Sequence, residues 1–159
     1  MQVKLQINKQ ITQLEQMAKH FNIAPIDNRL KIPKSLGKGF VQYYELPYDI
    51  QVHHYQYNLS QRIEVQGQND IDTGLYMINI NLSNRILQKE IGDQAVNMSK
   101  SGGSGTFFYS PGYHSKGHND LNVDFEVVFF AFPKSTLNLL GTSDFLKGLS
   151  ALEKFCMYD

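Results

Sequence analysis

Hydrophobic positions along the chain change their spacing twice, and the changes divide it into three parts. In the first, Leu5, Ile7, Ile11, Leu14, Met17, Ala18 and Phe21 recur at intervals near three and four with Gln, Lys and Glu between them. That period predicts an amphipathic helix over residues 4 to 20, and Pro25 stops it. Residues 1–28 are therefore expected to form a helix and an arm.

From residue 29 to 132 the period shortens to two. Leu30 to Ile32 is a short strand, and Phe40-Val-Gln-Tyr-Tyr-Glu-Leu46 follows punctuating glycines at 37 and 39 and ends at Pro47. Asp49 to Leu59 alternates, with Ile50, Val52, His54 and Gln56 on one side and Gln51, His53, Tyr55 and Tyr57 on the other. One face meets the core, and the other is wet or lines a cavity. Gly74 to Leu82 sets Tyr76, Ile78, Ile80 and Leu82 against Leu75, Met77, Asn79 and Asn81 in the same way. Segments near 63–65, 85–91 and 95–98 add shorter strands, with turns at 67–70 and 83–84, and Ser101-Gly-Gly-Ser-Gly105 reads as a flexible tract, either a hairpin tip or a mobile lip over a pocket.

The run Val123-Asp-Phe-Glu-Val-Val-Phe-Phe-Ala-Phe132 begins alternating and becomes continuously apolar, the pattern of a central strand covered on both faces. Phe107, Phe108 and Tyr109 make a shorter strand stopped by Pro111-Gly112, and residues 113–122 are expected to be a plain connection between the two.

Beyond residue 132 the helical period returns. Pro133 suits a first helical position and Gly141 an end, and a second helix then carries Phe145, Leu146, Leu149, Leu152, Phe155 and Cys156 along one stripe. The stripe runs to Asp159, so residues 133–159 are expected to be C-terminal helices that continue into a further domain. Leu146, Leu149, Leu152 and Phe155 are the expected interface of a homodimer. About eight short strands between two helical ends predict a mainly β jelly-roll barrel.

Composition excludes more than it assigns. Fifteen basic and fifteen acidic residues balance, which leaves no broad footprint for nucleic acid or an anionic membrane. The single Cys156 precludes an internal disulfide, and the absence of a signal-peptide core or a long apolar run leads to the expectation of a cytoplasmic chain without a membrane span. No phosphate loop, nucleophile elbow, dinucleotide fingerprint or basic recognition helix is present.

The five histidines invite a metal test, because cupin enzymes hold a metal with two His one residue apart, a Glu shortly after and a third His later. Here His53 and His54 are adjacent, so their rings leave a strand on opposite faces, and His114 and His118 fall in the expected connection. No metal or other cofactor is expected. Candidate pocket residues are Tyr55, Tyr57, Tyr76 and Tyr109, apolar rings with a polar tip, with His53 as a polar anchor.

The order of elements resembles a known family. Ile32-Pro-Lys-Ser-Leu-Gly-Lys-Gly-Phe40, a run of short strands, the Phe107-Phe-Tyr-Ser-Pro-Gly112 turn, Phe129-Phe-Ala-Phe132 and a helix opening at Pro133 are similar to the sensor domain of AraC-family transcription regulators. The resemblance implies a cupin-like barrel over 29–132 without enzymatic activity. Such a barrel takes a small-molecule effector or serves dimerisation, and it touches DNA only through helix-turn-helix units outside this chain. The alternative is a small cupin-type metal-dependent enzyme.

Overall fold

Period-two patterning does most of the work. The computed structural model describes residues 1–91, 94–98 and 105–136, and eleven strands among them form two sheets. One sheet holds β1 (Gln2–Gln6), β5 (Glu64–Gln68), β10 (His114–His118), β7 (Leu87–Ile91) and β8 (Gln94–Met98), in that spatial order. The other holds β2 (Arg29–Lys31), β3 (Gly37–Leu46), β4 (Ile50–Leu59), β11 (Asp124–Pro133), β6 (Leu75–Asn81) and β9 (Thr106–Tyr109). β11 lies between β4 and β6, where both neighbours satisfy its backbone, and this is the central position its apolar run predicts.

Four expectations are corrected. Residues 2–6 are a strand, because Val3 and Leu5 alternate with Gln2, Lys4 and Gln6 and both bury on one side against β5. The helix α1 begins only at Gln13 and runs to Phe21. Its start is set by a capping box: Thr12 Oγ1 accepts the Glu15 N–H at 3.1 Å, and the Glu15 carboxylate accepts the Thr12 N–H at 2.7 Å. The stretch 113–122 is no plain connection either, since residues 114–118 cross to the other sheet as β10 and pair with both β5 and β7. β9 pairs with β6 and not with the central strand.

Glycines 37 and 39 sit inside β3, where β4 comes too close for a side chain. A Cβ on Gly39 (φ 120°) would lie 2.2 Å from the Gln56 carbonyl oxygen and 2.5 Å from Tyr57 Cα. The chain is helical from Lys134 to Thr136, whose hydroxyl donates to the Tyr48 carbonyl at 2.7 Å. The expected helices beyond that point, with Leu146, Leu149, Leu152 and Phe155, lie outside the described residues. Among the described residues no helix is long and apolar enough to cross a membrane.

The core sits between the sheets, with α1 closing one side. Leu14, Met17 and Ala18 of α1 join Val3, Leu5, Leu30, Val41, Leu59, Leu75, Met77 and Phe129 in one cluster. A second, smaller cluster of Tyr76, Phe132, Ile50, Ile78, Phe108 and Phe130 covers the opposite face of the six-stranded sheet.

Candidate functional site

Paired strands place large side chains on one inner wall and small ones on the other. Across the six-stranded sheet, inward rows contain Tyr55 beside Val127, Tyr57 beside Phe125, and Met77 between Ala131 and Tyr109. Across the five-stranded sheet the facing row is Val3, Val65, Gly117, Lys89 and Val96, and the next is Leu5, Gly67, Ser115 and Ile91. Two glycines and a serine cannot fill the space that opposite rings leave. A cavity of about 120 Å³ remains between the sheets and beneath α1, bounded among others by Leu5, Met17, Tyr55, Tyr57, Val65, Met77, Lys89, Tyr109 and Phe129.

The polar groups at its wall are few. Tyr55 donates its hydroxyl to the Gln13 side-chain oxygen, which fixes α1 to the cavity wall. Burial pushes the phenols of Tyr55 and Tyr57 well above their ordinary range, so both are neutral hydroxyls. Asn119, just past β10, sits close enough to the Tyr57 hydroxyl to temper that upward push. Its Nδ2 is buried, and no hydrogen bond within 3.5 Å reaches it from the described residues. Lys89 is half-buried as a residue, but burial lowers its ammonium pKa to about 8. No carboxylate lies within 4.0 Å of it among the described residues, whose ion pairs are His54–Glu126 and Lys116–Glu64.

The residues singled out from sequence separate. Tyr55, Tyr57 and Tyr109 border the cavity. Tyr76 does not: its side chain leaves β6 on the face opposite Leu75 and Met77 and packs on Phe132 and Phe108, because successive strand residues alternate. His53 shares the inward face of β4 with Tyr55 and Tyr57 but does not border the cavity: it is buried to 1% exposure between Tyr43, Tyr55 and Phe129, and neither ring nitrogen has a hydrogen-bond partner among the described residues. Burial holds its pKa down at about 3, so it is a neutral ring. His54 points the other way and meets Glu126 at 3.0 Å. His114 and His118 belong to β10. Among the described residues no group of three or more His, Cys, Asp or Glu is placed to hold a metal ion.

Lys89 and Asn119 escaped the sequence reading. The signal for Lys89 was present, since Leu87, Lys89 and Ile91 share one side of a strand and put a lysine between two apolar inward positions. Asn119 carried no signal, because its place depends on how β10 crosses between sheets.

No family model and no curated protein matches the chain. Solved structures of similar fold include the cupin domain of Cnp3 from Schizosaccharomyces pombe, 9% identical over 66% of this chain and 74% of that one, with a TM-score of 0.47. An HTH_3 family transcriptional regulator from Vibrio cholerae is 10% identical over 76% of this chain and 70% of that one, with a TM-score of 0.47. A predicted oxalate decarboxylase from Thermotoga maritima is 15% identical over 70% of this chain and 99% of that one, with a TM-score of 0.42. The expectation of a chain without enzymatic activity is withdrawn: a fold does not decide activity, and the similar structures include a predicted oxalate decarboxylase. The chain is mainly β, with two sheets of five and six strands, and the similar solved structures include cupin domains.

Proposed function

We propose that this domain receives a small organic effector between its sheets and serves as the sensing part of a transcription regulator of the AraC type. In this reading it is cytoplasmic and dimeric, and DNA is contacted by a domain outside this sequence. The observation that carries the reading is the cavity. Protein interiors are normally close-packed. At the mutational cost of unfilled volume, a 120 Å³ void forgoes on the order of 3 kcal/mol. That is a large fraction of a domain's net stability, and an occupant recovers it. The size suits one aromatic ring or a short acyl chain, since an apolar cavity of about 150 Å³ takes benzene.

The test is thermal unfolding against a set of small monocyclic aromatics and short-chain acyl compounds, using the parent and Val65→Phe, which fills the cavity from the small-residue wall. Some compounds are expected to raise the parent's Tm in a concentration-dependent way and to leave the filled variant unchanged. No rise in the parent, or an equal rise in the folded variant, overturns the reading. Mass in solution tests the dimer, and Leu149→Glu with Leu152→Glu tests the C-terminal stripe as its interface.

A further inference from the structure

The cavity's chemistry is one-sided. Its bordering residues include Lys89, His118, Asn119 and several tyrosines, but no aspartate or glutamate among the described residues. Lys89 occupies an inward position in a row otherwise made of Val3, Val65, Gly117 and Val96, and no carboxylate of the described residues lies within 4.0 Å of it. Gly117, its partner on β10, keeps the lysine's path clear: a Cβ at that position would stand 3.3 Å from Lys89 Cγ. Asn119, just past the end of β10, borders the same cavity, roughly 7 Å further on. Its amide nitrogen is a second donor: it lies toward the Tyr57 hydroxyl but closes no hydrogen bond within 3.5 Å to any described residue, and Asn119 is only 9% exposed.

A half-buried cation and a buried donor with no short hydrogen bond border one cavity, with no acid among the described residues that line it, and what they lack is an anion. We propose that the ligand of this cavity is a small carboxylic acid, with its carboxylate held by Lys89 and Asn119 and its ring or acyl part against Tyr55, Tyr57, Met77 and Phe129. The inference rests on the cavity being a ligand site and adds the charge of the ligand. A carboxylate fits better than a phosphate, because one ammonium and one neutral donor match a single negative charge. Two negative charges buried among apolar walls would leave one uncompensated.

Neutral isosteres decide it. Benzoate and hexanoate are titrated against benzamide and hexanamide by ligand-observed NMR at pH 6.5, with the full chain, Lys89→Met and Lys89→Gln. The acids are expected to bind the parent at least tenfold more tightly than the amides. Both variants should lose that preference while retaining the amides' affinity, which shows that the site is still folded. Equal binding of acids and amides, or a preference that survives in both variants, overturns the carboxylate while leaving the cavity as a ligand site. Failure of all four probes to bind the parent overturns both.

Discussion

Gly117 of β10 stands opposite Lys89 of β7, and the missing Cβ is what lets the lysine stem lie across the strand toward the sheet interface. A methyl group there would be 3.3 Å from Lys89 Cγ, tighter than ordinary contact but against a flexible chain, while the Gln88 carbonyl oxygen at 3.5 Å and Lys89 Cε at 4.0 Å would be in ordinary contact. Gly117→Ala is therefore expected to change stability by less than about 1 kcal/mol, because the lysine can shift and the backbone becomes less free when unfolded. The shift should move the ammonium toward water and raise its pKa from about 8 toward 10.5. Lysine side-chain NMR titration of parent and variant reads this directly, and an unchanged Lys89 titration would count against the steric role given to Gly117.

Gly39 makes the opposite case. Its φ of 120° and the contact of 2.2 Å that a Cβ would make with the Gln56 carbonyl oxygen both involve backbone, which cannot move aside without breaking the β3–β4 ladder. Gly39→Ala is expected to cost about 3 kcal/mol or more. Gly74→Ala should cost about 1 kcal/mol, since that residue has φ 60° but an added methyl group would meet nothing within 4 Å. Urea denaturation of the two variants should separate them in this order.

What was legible from sequence was whatever depended on period. The strand 50–59, the central strand 124–133 and the opposite directions of His53 and His54 follow from alternation alone. The beginning of the chain was misread because Leu5 and Ile7 satisfy both a strand's spacing and a loose helical one, and β1 gains its partner from β5, about sixty residues away. Thr12 and Glu15 did carry the true helix start. Which face of β6 points inward was not readable, because Tyr76 and Met77 are both apolar enough to bury and only the packing of the second sheet decides between them. The cavity itself comes from Gly67, Ser115 and Gly117 meeting across β5 and β10, a pairing between segments that no local pattern announces.

The link between Gln13 and Tyr55 ties α1 to the barrel, and both residues are buried. Gln13→Leu leaves the Tyr55 hydroxyl without its acceptor and is expected to cost about 1–3 kcal/mol, with Tyr55→Phe costing a similar amount for the abandoned amide. The double variant should cost less than the sum, because neither polar group then remains to be satisfied. Strict additivity in chemical denaturation would mean that the pair contributes nothing beyond its two separate sites.

His53 gives the clearest dependence on pH. Tyr43, Tyr55 and Phe129 surround its ring, no hydrogen bond reaches either nitrogen, and burial lowers its pKa from 6.5 to about 3. Above pH 6.5 the ring is neutral in both folded and unfolded chains and contributes no slope. Between pH 6.5 and about 3 the unfolded chain binds a proton that the folded chain refuses, so acidification destabilises by ~1.4 kcal/mol per pH unit from this residue. His53→Leu removes two unsatisfied nitrogens without removing a hydrogen bond. The variant is expected to be at least as stable as the parent at pH 7.5, by about 1 kcal/mol. On going to pH 5 its advantage should grow by about 2 kcal/mol, because only the parent carries the histidine's proton linkage. Denaturation of both proteins at the two pH values measures the difference directly and cancels the other titrating groups. Parallel losses in parent and variant would show that the imidazole accepts its proton while folded, and that the ring is less enclosed than its neighbours make it.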